Sequence, residues 1–255
     1  MKPLLSIKDL SLSFAGVRAL QSVSLDANQG ELLAVIGPNG AGKTSLFNCI
    51  SGVYKPQSGQ INLGAHALTG RNPHEIAQLG VARMFQNLAL FEHLTVLENL
   101  MLGRHRQYAS KWWHDVFWTP TARAQEVKNR EWAEHIIDFL NLEAVRKTPV
   151  GILPYGILKR VELGRALCME PKLLLLDEPA AGLNHEETED LARYLLDIKE
   201  QMGITQILIE HELRFVLELA DRIAVLNFGQ KIADSTPDGI RKDSAVTQAY
   251  VGGVI

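Results

Sequence analysis

The sequence predicts an α/β protein, on three observations. The run Glu31 to Ile36 is a short buried strand that breaks into the glycine-rich Gly37-Pro38-Asn39-Gly40-Ala41-Gly42-Lys43-Thr44, and Thr44 to Ser51 then takes helical spacing. Ahead of it, Leu5, Ile7, Leu10, Leu12 and Phe14 alternate with polar neighbours, the period of half-buried antiparallel strands. Behind it, helical patterns dominate from Leu94 to Leu142 before strand and helix signals alternate again. The expected architecture is an α/β core with an antiparallel β-subdomain and a helical subdomain. It forms one domain over 1–255, with about 1–86 and 168–255 in the core and β-subdomain and about 87–167 in the helical part.

The elements follow in order. Val23 and Leu25, after a turn at Gly16, complete the opening β-layer, and Val81 to Phe85 reads as a further strand. The helical stretch is interrupted from Arg104 to Pro120, which holds three of the four tryptophans. Lys159 to Met169 is a helix and Lys172 to Leu176 an apolar strand. The next helix opens at Asn184 with Glu187 three positions on, a capping-box start, and closes at Gly203. Thr205 to Ile209 and Ile223 to Leu226 are strands, Gly229 turns a final hairpin, and Asp243 to Tyr250 is a short helix.

Composition narrows the function. At 46% hydrophobic residues the chain can bury a substantial core. Its 26 basic and 29 acidic side chains leave a net charge of −3, with no excess of cations for a run of phosphates, which argues against a nucleic-acid partner. Cys49 and Cys168 lie far apart among apolar residues and read as buried reduced thiols, as in a reducing cytosol. The longest apolar runs, such as Leu173 to Leu176, are strand-sized and far below the roughly 18 residues of a membrane-spanning helix. The opening Met1 to Asp9 carries Pro3 and Asp9 where a signal peptide needs an uninterrupted apolar stretch. The histidines show no zinc-like spacing.

Residues 37–44 fit the phosphate-binding P-loop pattern, placed between a strand and a helix as its mechanism demands. Glycines let successive backbone N–H groups face the phosphates, the helix directs its positive dipole end there, and Lys43 adds a full charge. The expected ATP-binding set is Gly37, Pro38, Asn39, Gly40, Ala41, Gly42, Lys43, Thr44 and Ser45, with the Thr44 hydroxyl turned to Mg²⁺. Leu173 to Leu176 ends in Asp177 and Glu178, and Asp177 is placed to reach the same metal. An apolar strand ending in an acid is by itself a weak signal, because such an acid often only caps the next turn; the P-loop ahead of it makes the two one site.

With these residues in order, the chain resembles the ATP-binding cassette ATPases, a branch of the P-loop NTPases, over essentially its whole length. Pro179-Ala180-Ala181-Gly182-Leu183-Asn184 is similar to the cassette D-loop at the dimer contact. The resemblance makes Gln86 the Q-loop glutamine that senses Mg²⁺ and the γ-phosphate, His211 the switch histidine and Phe14 the adenine-stacking aromatic. It implies that Glu178 polarises the attacking water, that His211 hydrogen-bonds near the γ-phosphate, and that Lys43 with Mg²⁺ offsets developing charge.

One segment departs from that pattern. Where cassettes carry Leu-Ser-Gly-Gly-Gln, which contacts the γ-phosphate held by the opposite subunit, this chain has Leu153-Pro154-Tyr155-Gly156-Ile157. The serine hydroxyl is gone and Pro154 has no N–H, leaving Gly156 and the helix dipole. Leu-x-Tyr-Gly followed by Arg160 to Leu167, together with Ile209-Glu210-His211-Glu212 and the ending Ala249-Tyr250-Val251-Gly252, is similar to the branched-chain amino acid uptake branch. That branch implies two different ATPases sandwiching ATP beneath integral-membrane permease subunits on the cytoplasmic face of the inner membrane, served by a substrate-binding protein. Three alternatives stand beside it: a lipopolysaccharide-export ATPase, whose branch keeps Ser-Gly-Gly; a non-transport cassette, whose chains carry two cassettes or long coiled-coil insertions; and a chiefly regulatory or structural subunit that the altered signature leaves a poor ATPase. The aromatic run Lys111 to Trp118 reads as packing in the helical subdomain or as a docking patch for the permease or membrane.

Overall fold

The computed structural model describes residues 3–86, 88–104 and 120–251, so the Lys111 to Trp118 run and Gly252 lie outside the described residues. The chain order is β1 (Leu5–Phe14), β2 (Val17–Ala27), β3 (Leu32–Ile36), α1 (Lys43–Ile50), β4 (Ser58–Leu63), β5 (His66–Ala67), α2 (Pro73–Leu79), β6 (Val81–Met84) and α3 (Val96–Gly103). It continues with α4 (Pro120–Phe139), α5 (Tyr155–Leu167), β7 (Leu173–Asp177), α6 (His185–Met202), β8 (Thr205–Ile209), α7 (Leu213–Leu219), β9 (Arg222–Asn227), β10 (Gln230–Ser235), α8 (Pro237–Lys242) and α9 (Ser244–Val251). Residues 1–83, 172–180 and 192–255 form one compact unit, and residues 84–171 and 181–191 a second.

The first unit holds both sheets. One has the order β2-β1-β4-β5 and pairs antiparallel; the other has the order β10-β9-β3-β8-β7-β6. β3 pairs in parallel with β8 on one side and β9 on the other, and β7 pairs in parallel with β8. Every residue of β3, β7 and β8 is buried, as expected of parallel strands covered on both faces. Leu5, Ile7 and Ile61 of the antiparallel layer, Leu33, Val35 and Ile207 of the larger sheet, and Leu46 and Phe47 of α1 belong to one apolar cluster.

Register decides where a site can form. Ile209 lies opposite Val35 of β3 and opposite Asp177 of β7, so three parallel strands end at one level. Ligands of open α/β sheets bind outside such carboxyl ends. The loops after Ile36, Asp177 and Ile209 all start from that edge.

In the second unit, α3 opens on a full capping box between Thr95 and Glu98 and packs against α4 and α5. Gly164 lets the helices approach, since a Cβ there would sit 3.0 Å from Leu140 Cδ1. Buried Asn99 accepts from Phe91 N–H and donates to the carbonyls of Phe91, Leu94 and Thr95, fixing the turn ahead of α3. Buried Arg104 donates to Asn129, to the Cys168 carbonyl and to Glu170. Cys49 and Cys168 are buried free thiols, pushed up to about 11 and about 12 by burial, so neither is a ready nucleophile. Among the described residues no helix is long and apolar enough to cross a membrane.

Candidate active site

The phosphate loop forms where β3 ends. A Cβ on Gly37 would lie 2.0 Å from the Leu226 carbonyl oxygen, and one on Gly42 2.4 Å from that of Ala19. Both glycines also have positive φ, +149° and +102°, so no other residue fits without moving the backbone. Ala41 N–H donates to Pro38 at 3.1 Å, and Gly229 N–H to Ala41 at 3.0 Å, which ties the loop to the β9–β10 turn. α1 then begins at Lys43, with Thr44 and Ser45 in its first turn.

Lys43 is only 5% exposed, and its Nζ curls back to donate to the carbonyls of Gly37 at 2.6 Å and Pro38 at 3.1 Å. Burial lowers its pKa from the ordinary lysine value, while the carboxylates of Glu178 and Asp177 act in the opposite direction. The lysine of the loop and the two acids after β7 therefore share one electrostatic site.

Each acid is held differently. Asp177 ends β7 and is buried, with Oδ2 accepting from Arg83 Nη2 at 2.6 Å. Arg83 comes from β6 and also donates from Nη1 to Asn48 Oδ1 at 2.7 Å and Ser51 Oγ at 3.2 Å, with its guanidinium 5.7 Å from the Phe47 ring. It joins the end of β7 to α1, the helix that carries the loop lysine. Glu178, one residue on, adopts φ +50°, a left-handed conformation that costs a residue with a Cβ roughly 1–3 kcal/mol. Its N–H donates to Ile209 at 2.9 Å and its Oε1 lies 2.6 Å from His211 Nε2. Glu210 braces both arms, accepting from Ala180 N–H at 2.7 Å and His211 N–H at 3.2 Å, and burial raises its carboxyl above the ordinary value.

Phe14 ends β1 in the same unit, 44% exposed and edge-on to Tyr54 with ring centroids 5.0 Å apart. Gln86 and Leu153 to Gly156 belong to the second unit. Gln86 is exposed, and its carbonyl accepts from Lys159 Nζ at 3.3 Å. Pro154 is the N-cap of α5 and supplies no side-chain cap. Tyr155 packs against Gly182, where a Cβ would lie 3.0 Å from the ring, and Gly156 faces Glu187, whose Oε1 a Cβ would approach to 2.1 Å.

The family description of ABC transporters matches residues 20–181, a span that contains the phosphate loop, both acids and α5. The chain belongs to the ABC transporter family. It is 39% identical over 251 residues, 98% of both chains, to the high-affinity branched-chain amino acid transport ATP-binding protein BraF of Pseudomonas aeruginosa. To the corresponding protein LivG of Escherichia coli it is 38% identical over 251 residues, again 98% of both. Among solved structures, the ADP conformation of an ATP-binding cassette of an ABC transporter aligns with a TM-score of 0.85 at 31% identity, covering 99% of this chain and 100% of that one. The α/β cassette fold and ATPase class expected from the sequence are thereby established, and the cassette binds nucleotide.

Two residues of the cassette escaped the sequence reading. Arg83 had a usable signal, a single cation inside the otherwise apolar Val81-Ala82-Arg83-Met84, which demands a buried anion. Glu210 had one too, since it directly follows the apolar run Ile207-Leu208-Ile209 much as Asp177 follows Leu173 to Leu176, yet it points to two backbone N–H groups as a brace.

Proposed function

We propose that this cassette is the ATP-hydrolysing subunit of an importer for branched-chain or similarly hydrophobic amino acids, bound peripherally at the cytoplasmic face of the inner membrane. The observation that carries the import reading is the identity to BraF and LivG along 98% of both chains, well beyond the conserved nucleotide motifs. In this reading two cassettes, this chain and a different paralogue, close on ATP beneath integral-membrane permease subunits, and a binding protein delivers the solute.

The site residues take the following parts. Gly37 to Ser45 bind the phosphates, Phe14 stacks on the adenine with its exposed face, and Lys43 exchanges its two loop carbonyls for phosphate oxygens, each such charge-assisted bond contributing about 1.5–3 kcal/mol. The donors available to a metal are the Thr44 hydroxyl and the Asp177 carboxylate, hard oxygens at the start of α1 and the end of β7. That set suits Mg²⁺, which takes one or two protein oxygens and completes its shell with phosphate and water. When bound, Mg²⁺ neutralises charge developing on the phosphoryl oxygens. Glu178 accepts the proton of the attacking water, and His211, 2.6 Å away, keeps that carboxylate aimed and hydrogen-bonds toward the γ-phosphate. Gln86 reports the γ-phosphate and metal, and Leu153 to Gly156 complete the partner's site with Gly156 and the helix dipole alone.

Reconstitution tests the assignment. With the permease pair and binding protein in vesicles, leucine, isoleucine or valine should accelerate ATP turnover. Stimulation by a small amide or urea with none by these amino acids would reject the substrate class, and turnover indifferent to every loaded binding protein would reject import.

A further inference from the structure

Helix α5 carries charged side chains at Lys159, Glu162 and Arg165, three residues apart and hence along one face. Lys159 and Glu162 are each 1% exposed, and a buried charge is costly unless partnered. Their partners are backbone groups in the segment after β6. Lys159 Nζ donates to the Gln86 carbonyl at 3.3 Å. Glu162 Oε1 accepts from Phe85 N–H at 3.3 Å, and the same carboxylate takes the N–H of Ala89. Arg165 Nη1 donates to the Ala89 carbonyl. Donor, acceptor and donor on the helix thus match acceptor, donor and acceptor on the chain either side of Gln86.

A glutamine that must sense a phosphate needs a fixed backbone, because a displacement of about 1 Å is enough to cost a large factor in rate. We infer that Glu162, assisted by Lys159 and Arg165, is a positioning residue for ATP hydrolysis that holds the backbone around Gln86 and so sets where that side chain points. The helix doing this begins at Tyr155 and Gly156, so the backbone around the glutamine is bonded to the helix that opens with the altered signature segment. The inference rests on the role proposed above for Gln86 and is independent of the transported molecule.

The test uses the full-length chain with Glu162→Ala, alone and combined with Gln86→Ala. Losing the acceptor for two N–H groups should lower turnover about tenfold with the KM for ATP changed less than about twofold. Amide exchange should quicken at Phe85 and Ala89 while residues 161–167 of α5 stay protected. In the Gln86→Ala background, Glu162→Ala should cost nothing further, since both act through one side chain. Glu162→Gln, which keeps an acceptor, should restore most of the rate. If Glu162→Ala does not fold, Arg165→Met removes only the more exposed donor and must show the same non-additivity. Additive losses, or unchanged exchange at Phe85 and Ala89 with normal turnover, overturn the inference. Undiminished turnover in Glu178→Gln would instead reject the hydrolytic reading and leave the exchange result standing.

Discussion

The end of β7 in one unit and helix α5 in the other hold their charges in different ways. At the end of β7 two consecutive acids meet side-chain partners: Asp177 has Arg83 and Glu178 has His211. Along α5, charges sit in mid-helix and meet backbone: Lys159, Glu162 and Arg165 grip Phe85, Gln86 and Ala89. The pairs at β7 join side chains to one another, whereas the α5 contacts hold a stretch of backbone in place.

The sharpest way to break the contrast is Arg83→Met. It strands the Asp177 carboxylate in the interior and should cost about 3–5 kcal/mol of stability, most of it recovered by adding Asp177→Asn. Denaturant midpoints of the two variants measure this, and a small single-mutant cost would show that Asp177 is solvated enough to need no partner. Next in size, Lys43→Ala should weaken ATP binding by roughly 100-fold, from the loss of a charge-assisted phosphate contact. Fluorescent-nucleotide titration reads it directly.

In the second unit the effects are smaller. Burial raises the Glu162 carboxyl from 4.5 to about 7, against the opposing pull of Lys159 and Arg165. A folded pKa above the unfolded one gives a contribution fully present below pH 4.5 and lost as pH rises through about 7. Melting curves at about pH 5 and about pH 8 should therefore show a larger fall in stability for the parent than for Glu162→Gln, which cannot ionise. Smallest of all is Gly156→Ala. The clash is with the carboxylate of Glu187, whose Oε2 accepts from Asn184 N–H, so making room costs that capping bond, and the gain in helix propensity of about 1 kcal/mol offsets it. Thermal melting should be nearly unchanged, and a large loss would mean that Glu187 is pinned against the start of α5.

How much of this was readable in advance depended on how local the signal is. The β3–loop–α1 unit, the acids ending β7 and the Asn184–Glu187 capping box are written in contiguous residues, and the structure places the capping hydrogen bonds at 3.0 and 2.9 Å. In residues 52–80 the Asn72–Glu75 capping box with Pro73 behind the cap was equally local and was missed, while the rest carried no comparable pattern. β4 has only Ile61 and Leu63 buried among polar residues, and its pairing with β1 is a long-range event. α2 is short, with Ile76 alone buried. The apolar neighbours of Arg83 signalled a buried cation but not its partner, and the α5 clamp was illegible: a helical i, i+3, i+6 charge pattern means one thing on a surface and another beneath a loop, and only the folded contact tells which.

The central claim is that ATP binds at the loop after β3 and is cut with help from Glu178. Its most direct test is a paired measurement on purified Glu178→Gln, nucleotide affinity and turnover in the same preparation. The account predicts affinity within about twofold of the parent and turnover reduced by about 10²–10⁴-fold. Near-parental turnover, or loss of binding in step with turnover, would contradict it.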